Sequence, residues 1–181
     1  MYSYKSKVNH SSARLEDTNV SYKDLCAVCA NVRGMPVQQA ISFLSLAVDM
    51  RIPVYYPSWN KKLGARHELG GKKGRYPKKA AKIVMKVLKS AVANADTKGL
   101  DPDSLFIAHI AANKKNKYLR YSPKGRRNIS ALTTARVEVV LEELQMSEIV
   151  GKEKKKSQKE RVAQTNVTTN INDEKKNEEN K

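Results

Sequence analysis

The sequence predicts an α+β fold: three amphipathic helices followed by two strands that run into a long antiparallel β-hairpin. Three observations predict it. Apolar residues recur at helical spacing in three windows before residue 98. Two later windows, 105–112 and 135–141, have strand-like apolar patterns. Between them lies a basic stretch centred on Pro123-Lys124-Gly125, a turn signal.

Residues 1–20 are polar, with a short strand expected at Tyr2–Tyr4. Helix one follows. Ser21 is a natural N-cap, Asp24 sits three residues on as in a capping box, and Leu25, Val28, Cys29 and Val32 form one apolar stripe. Gly34 supplies the stop. Helix two is expected to start with Pro36 in its first turn, where a missing N–H costs nothing, and its stripe is Val37, Ala40, Ile41, Leu44 and Val48. Residues 51–76 read as irregular, mixing Tyr55, Tyr56, Trp59 and Tyr76 with glycines and bases, and an unstructured loop of that length is usually functional or disordered. Helix three starts at Pro77. Ala81, Val84, Leu88, Ala91 and Ala95 line one face, Lys82, Lys86 and Lys89 lie off it, and Lys98-Gly99 ends it. Asp101-Pro102-Asp103 makes a turn. Leu105–Ala112 is apolar on both parities, which predicts a strand buried on two sides. In the last strand Ala135, Val137, Val139 and Leu141 alternate with Arg136, Glu138, Val140 and Glu142, which predicts one mostly wet face. The boundary falls near 150. Residues 151–181 are Lys, Glu, Asn, Gln and Thr with almost nothing to bury, and disorder is expected there.

The 181 residues carry 35 Lys+Arg against 18 Asp+Glu, a formal charge of +17. Such a surplus repels itself and is stabilised by a polyanion, with nucleic acid the default partner. No apolar run approaches the ~20 residues that cross a bilayer. The first residues lack an apolar signal-peptide core, and early acids argue against a mitochondrial leader, so a cytoplasmic protein is expected and the sequons at Asn9, Asn128 and Asn166 carry no weight.

Catalytic and metal readings fail. Cys26 and Cys29 form a C-x-x-C, but zinc needs further ligands, and His10, His67 and His109 are scattered singly, so both cysteines are read as packing residues. Gly70-Gly71-Lys72-Lys73 lacks the spacing and the Ser/Thr of a phosphate loop. Asp101 and Asp103 are a turn pair, and His109 is read as a packed strand residue. The sequence points to no enzyme, cofactor, metal or small-molecule substrate.

The most informative stretch holds Lys114, Lys115, Lys117, Arg120, Lys124, Arg126 and Arg127 with no acid among them. If the strands continue to the turn, each arm gains about ten residues, or roughly 30 Å. A polar, cationic two-stranded ribbon of that length is not stable alone in water. Either it is threaded through folded RNA, each base meeting a phosphate, or it is a floppy solvated loop. The loop before helix three offers Lys61, Lys62, Arg66, Lys72, Lys73 and Arg75 beside aromatics that could stack on bases, against the plainer reading of a surface loop around a buried Trp59. Tyr76, Lys78 and Lys79 put cations at a helix N-terminus, where free N–H groups also attract phosphate. An architectural DNA-binding protein with a Pro123 wedge is an alternative, as is a protein-docking module.

Gly74-Arg75-Tyr76-Pro77-Lys78-Lys79-Ala80-Ala81-Lys82 resembles the helix start of the universal large-subunit ribosomal protein twenty-two family, seventeen in older eukaryotic usage. The likeness runs on through Val87-Leu88-Lys89, Ala93-Asn94-Ala95, Lys98-Gly99-Leu100-Asp101, His109-Ile110-Ala111-Ala112, Gly125-Arg126 and Val137-Glu138-Val139-Val140-Leu141-Glu142-Glu143. Upstream, Ser21, Lys23 and Arg33-Gly34-Met35 share its spacing. It covers roughly residues 15–145. The resemblance implies three helices packed on a small antiparallel sheet. It also implies a hairpin over about 105–142, with a tip near 119–130 that lines the nascent-peptide exit tunnel. Carried over, the tunnel tip is Tyr121, Ser122, Pro123, Lys124, Gly125, Arg126, Arg127 and Asn128. Implied partners are large-subunit rRNA, neighbouring ribosomal proteins, the nascent polypeptide and exit-site factors. The segment 51–76 matches cytoplasmic archaeal and eukaryotic members. The tip departs from the family: Ser122 and Pro123 replace the usual Arg-Ala, and Arg127 stands where a small residue is common.

Overall fold

A computed structural model of the chain describes residues 2–4, 9–121 and 128–143. The expected tail 151–181, the boundary at 150 and the tip residues Ser122, Pro123, Lys124, Gly125, Arg126 and Arg127 lie outside the described residues.

Three helices pack on a three-stranded antiparallel sheet. The strands are β1 (His10–Thr18), β4 (Leu105–Tyr121) and β5 (Ile129–Glu143), in the order β1-β5-β4. The helices are α1 (Tyr22–Val32), α2 (Val37–Val48) and α3 (Lys78–Thr97), and a small ribbon pairs β2 (Val54–Tyr55) with β3 (Gly74–Arg75). α1 and α3 bury the stripes their spacing marks out; in α2 Ile41 and Val48 of the expected stripe are only half-buried, and Ala47 is buried beside Val37, Ala40 and Leu44. Leu25, Val28, Cys29 and Val32 of α1, Ala40 and Leu44 of α2, and Ala81, Val84, Leu88, Ala91 and Ala95 of α3 are all at most 1% exposed. They close over Ile107, Ile110, Val137, Val139 and Leu141. Removing so much apolar surface from water is the main favourable term in holding the body together. Gly34 takes a left-handed φ of 77° beyond α1, the conformation that makes glycine a helix stop.

The helix starts differ in detail from expectation. Ser21 caps α1, but its hydroxyl makes no capping bond, and Asp24 accepts instead from the Tyr56 hydroxyl at 2.8 Å. A buried phenol needs a partner more than an exposed helix end does. Pro36 and Pro77 occupy the N-cap positions rather than the first helical turn. Pro36 also bridges to Phe106, which docks the start of α2 on the edge of β4.

Three expectations are corrected. Tyr2–Tyr4 is not a strand; the N-terminal strand is His10–Thr18, which pairs along β5 from His10 with Glu142 to Thr18 with Ala135. The second face of β5 is dry from Glu138 on, not wet: Glu138, Val140 and Glu142 are 0%, 1% and 4% exposed, and only Arg136, at the arm end of that face, stays half-exposed. β5 is the central strand, and residues 2–4 lie across that face. The Ser3 hydroxyl donates to Glu138, and Tyr4 stacks on His109 at 5.0 Å. His109 in turn places Nε2 3.7 Å from the Glu138 carboxylate, so it is a packed residue as read. Residues 51–76 are not wholly irregular, because β2 and β3 close the segment at its base. Gly74 is required there: a Cβ would stand 2.5 Å from Leu69 Cδ1 and 2.9 Å from the Val54 carbonyl oxygen.

The two cysteines are free thiols at the α1–β4 seam. Cys29 is in the core, and burial pushes its pKa up to about 12. Cys26, half-buried, donates to the Ala112 carbonyl at 3.2 Å. Asp101 opens its turn by accepting from the Asp103 N–H.

Candidate nucleic-acid interface

Beyond Ala112 and before Thr133 the two long strands leave the body. They stay paired through Lys117–Thr133, Tyr118–Leu132, Leu119–Ala131, Arg120–Ser130 and Tyr121–Ile129. Every described residue from 113 to 121 and from 128 to 132 is exposed. Pairing continues because strands twist and bond locally, but none of the described residues covers either face. Lys114, Lys117 and Arg120 extend from this ribbon, with Tyr121 and Asn128 flanking the tip. The arm also carries apolar side chains that the charge-led reading passed over. Tyr118, Leu119, Ile129 and Leu132 are each 51–54% exposed, and Tyr121 is 73% exposed. The signal was legible in Tyr118-Leu119-Arg120-Tyr121 and Ile129–Leu132, where large apolar residues recur in a stretch otherwise read only for its lysines and arginines.

The root of the arm is built differently. Two register shifts meet there, one in β1 between Leu15 and Thr18 and one in β4 between Lys114 and Lys117. Bulges bend a strand and re-aim its side chains. Here they bring Lys115 onto Glu16 and Asp17, the latter at 3.1 Å. Asp17, at a left-handed φ of 55°, also accepts from Asn116 Nδ2 at 2.9 Å and from the Thr134 hydroxyl at 3.1 Å. The hydrogen bonds to Lys115 hold both carboxyls below their ordinary range, and the Lys115 ammonium above its own. Lys115 is thus matched by two carboxylates, whereas no ion pair among the described residues engages Lys114, Lys117 or Arg120.

The loop and the start of α3 gather around the first turn of α1. Lys114 Nζ lies 4.6 Å from the centre of the Tyr22 ring, and Tyr22 meets Trp59 edge-on at 5.7 Å. Lys23 Nζ sits 5.1 Å from the Trp59 ring. Trp59 is 53% exposed and not buried, with a left-handed φ of 58° that turns the chain outward. Arg66 covers Tyr76 at 5.3 Å and donates to the Gly74 carbonyl, and Lys72 covers Tyr55 at 5.6 Å. Cations over ring faces engage those rings electrostatically, and Tyr22, Tyr55 and Tyr76 are half-buried beneath them. Lys61, Lys62, Lys73 and Arg75 are exposed around them.

At the N-terminus of α3, Tyr76, Lys78 and Lys79 border a cleft of about 410 Å³ shared with Ser21 and Asp24. No side chain caps this helix end, the Lys78 N–H donates to the Tyr76 carbonyl at 3.0 Å, and the positive end of the helix dipole lies beside two lysines. The first turn of α1 joins all three regions: arm root, aromatic loop and α3 start. Tyr22 and Lys23 are the members that site-level sequence reasoning did not select, since neither lies in a basic run.

The arrangement offers dispersed cations and exposed flat rings on a rigid body, with no group of three or more His, Cys, Asp or Glu side chains gathered among the described residues. No helix among those residues is long and apolar enough to cross a membrane. Comparison with known proteins supplies a family. The profile described as ribosomal protein L22p/L17e matches residues 13–142. The large ribosomal subunit protein uL22 of Methanocaldococcus jannaschii is 40% identical over 146 residues, covering 77% of this chain and 94% of the relative. The protein of that name from Staphylothermus marinus is 37% identical over 151 residues, covering 79% and 96%. That from Thermoplasma acidophilum is 33% identical over 144 residues, covering 78% and 94%.

Proposed function

This chain belongs to the ribosomal protein L22p/L17e family, and on that premise we propose how it serves the large ribosomal subunit, in which it is a structural component and not an enzyme. The arm enters folded rRNA and stitches its segments together. The tip, from Tyr121 through Ser122, Pro123, Lys124, Gly125, Arg126 and Arg127 to Asn128, lines the nascent-peptide exit tunnel. Lys61, Lys62, Arg66, Lys72, Lys73, Arg75, Tyr76, Lys78 and Lys79 hold rRNA backbone against the body, in a subunit of the cytosol. The partners are rRNA, neighbouring ribosomal proteins and the emerging polypeptide.

The observation that carries this reading is the exposed arm, paired from Lys117–Thr133 out to Tyr121–Ile129. A two-stranded ribbon with no third strand is marginal in water, and like charges along it weaken it further. Phosphates would neutralise Lys114, Lys117 and Arg120, and unstacked bases would cover Tyr118 and Tyr121. Lys115 takes a different part within this interface: tied to Glu16 and Asp17, it sets the angle at which the arm leaves the sheet.

The test replaces Arg120, Lys124, Arg126 and Arg127 with Ala together. The purified variant should keep the circular dichroism and unfolding midpoint of the parent, while its incorporation into large subunits falls and crosslinks to nascent chains change. Normal subunit yield with unchanged crosslinks would overturn the reading.

A further inference from the structure

Trp59, the single tryptophan of the chain, stands in the open in the loop between β2 and β3. The backbone on either side of it is anchored. Tyr56, 2% exposed, gives its hydroxyl to Asp24 and its N–H to the Lys73 carbonyl at 3.1 Å. Leu63 belongs to the buried core, and its N–H donates to the Asn60 carbonyl at 3.3 Å. Asn60 Nδ2 reaches back to the Tyr56 carbonyl at 3.4 Å. Two buried side chains thus fix the ends of the short segment that carries the indole. Within it Trp59 and Lys62 hold left-handed φ values of 58° and 62°. For a bulky residue that conformation is strained, and it persists only where the surroundings impose it. Turning a large apolar ring inward would be favourable, yet the fold holds this one out. Its contacts come from the first turn of α1, with Tyr22 edge-on and the Lys23 ammonium over the ring, and about half of its surface stays open.

We propose that Trp59 is the stacking platform for one unpaired base of the rRNA, with Lys23 meeting a phosphate beside it. The inference rests on the rRNA reading and specifies the form of the RNA at this loop: a bulged or looped-out nucleotide, not a double helix. A duplex keeps its base faces stacked inside and offers phosphates and sugars outside, so it would satisfy the lysines and leave the indole uncovered. An unpaired base presents a flat face whatever its identity, together with the charge that the surroundings ask for. Those surroundings are cationic: Arg51, Lys61, Lys62 and Arg66 lie in the stretch 50–67, which contains no acid. The nearby Asp24 carboxylate is already engaged by the Tyr56 hydroxyl.

The lone tryptophan is its own reporter. The full-length chain is titrated with a short oligoadenylate, and separately with the same strand paired to its complement, while indole emission is followed. Oligoadenylate should quench most of the emission; the duplex should bind through charge and leave it unchanged. Affinities are compared in a Tyr118→Ser, Tyr121→Ser background, so that the rings of the arm do not compensate. There Trp59→Leu should weaken oligoadenylate binding about tenfold and leave duplex binding as it was, while Trp59→Phe restores most of the loss. Both variants change an exposed side chain and should keep the circular dichroism of the parent. If both RNAs bind and the emission does not respond, or if Trp59→Leu binds oligoadenylate as the parent does, the stacking inference is overturned and the rRNA reading stands. If neither RNA binds, both fall together. Quenching by a Glu-rich peptide and not by oligoadenylate would give the ring to an acidic protein and overturn the proposal as well.

Discussion

The inner and outer halves of one β-ladder live in opposite environments. In the body, Ile107, Ile110, Val137, Val139 and Leu141 of β4 and β5 are fully buried. A few residues further along the same two strands, Tyr118, Leu119, Tyr121, Ile129 and Leu132 are at least half exposed. The hydrogen-bonding pattern is antiparallel in both halves. What changes is the cover: α1 and α3 lie over the inner half, β1 flanks it, and neither reaches the outer one. Backbone pairing is therefore not what separates body from arm. Burial is, and no described residue supplies it to the arm.

The largest effect should come from the inner half. Leu88→Ala removes a fully buried α3 side chain packed in the core and should cost about 2–5 kcal/mol of stability, read by denaturant unfolding. Gly74→Ala comes next, at about 1–3 kcal/mol, because its new methyl meets the Val54 backbone as well as Leu69. Its unfolding curve should be accompanied by faster amide exchange at Tyr56 and Arg66, whose N–H groups bond to Lys73 and Lys72 across the ribbon. The outer half should invert this ranking. Tyr118→Ser with Tyr121→Ser should shift stability by no more than about 0.5 kcal/mol. It should still weaken rRNA-fragment binding about tenfold or more if each ring covers a base. A loss of stability comparable to Leu88→Ala would show that the arm is part of the folded body after all.

The smallest effect sits at the junction. The Glu16 and Asp17 carboxyls are depressed below their ordinary values of 4.5 and 3.8, mainly by hydrogen bonding to Lys115. Groups depressed in the folded state contribute above their unfolded pKa and lose that contribution as pH falls through the folded one. Lys115, raised above 10.5, contributes below that value and loses its contribution as pH rises through its folded pKa. The tie should therefore persist across the neutral range and loosen at both acid and alkaline extremes. NMR shifts of Thr134 and Asn116 should follow it, while those of buried Val139 stay flat.

The helices were legible because their stripes alone decide which face is buried; Leu25, Val28, Ala81, Val84 and Leu88 needed no tertiary information. β1 was not legible, because His10–Thr18 has little to mark a strand except Ala13 and Leu15, and its pairing with β5 is decided by a partner more than a hundred residues away. The dry second face of β5 followed from the same omission. Glu138 looks like a solvent residue in an alternating pattern, and only its place in a central strand beneath Ser3 and Tyr4 buries it. At the site, the basic runs were visible as charge. That Lys115 is neutralised within the chain, and that Tyr22 and Lys23 join the arm root to the loop, depends on bulges and ring contacts that no local spacing encodes.

The central place of β5 has a consequence for the order of events during synthesis. Among the described elements it is the last to be made, yet it is the strand neighbour of both β1 and β4. Until residues 129–143 are available, the helices have no closed sheet to pack on, and β1 and β4 each present an unpaired edge. Contacts of such long sequence separation are slow to form and leave apolar surface open while they wait. Folding should then switch on late and all at once, with the arm and the sheet completed by the same strand.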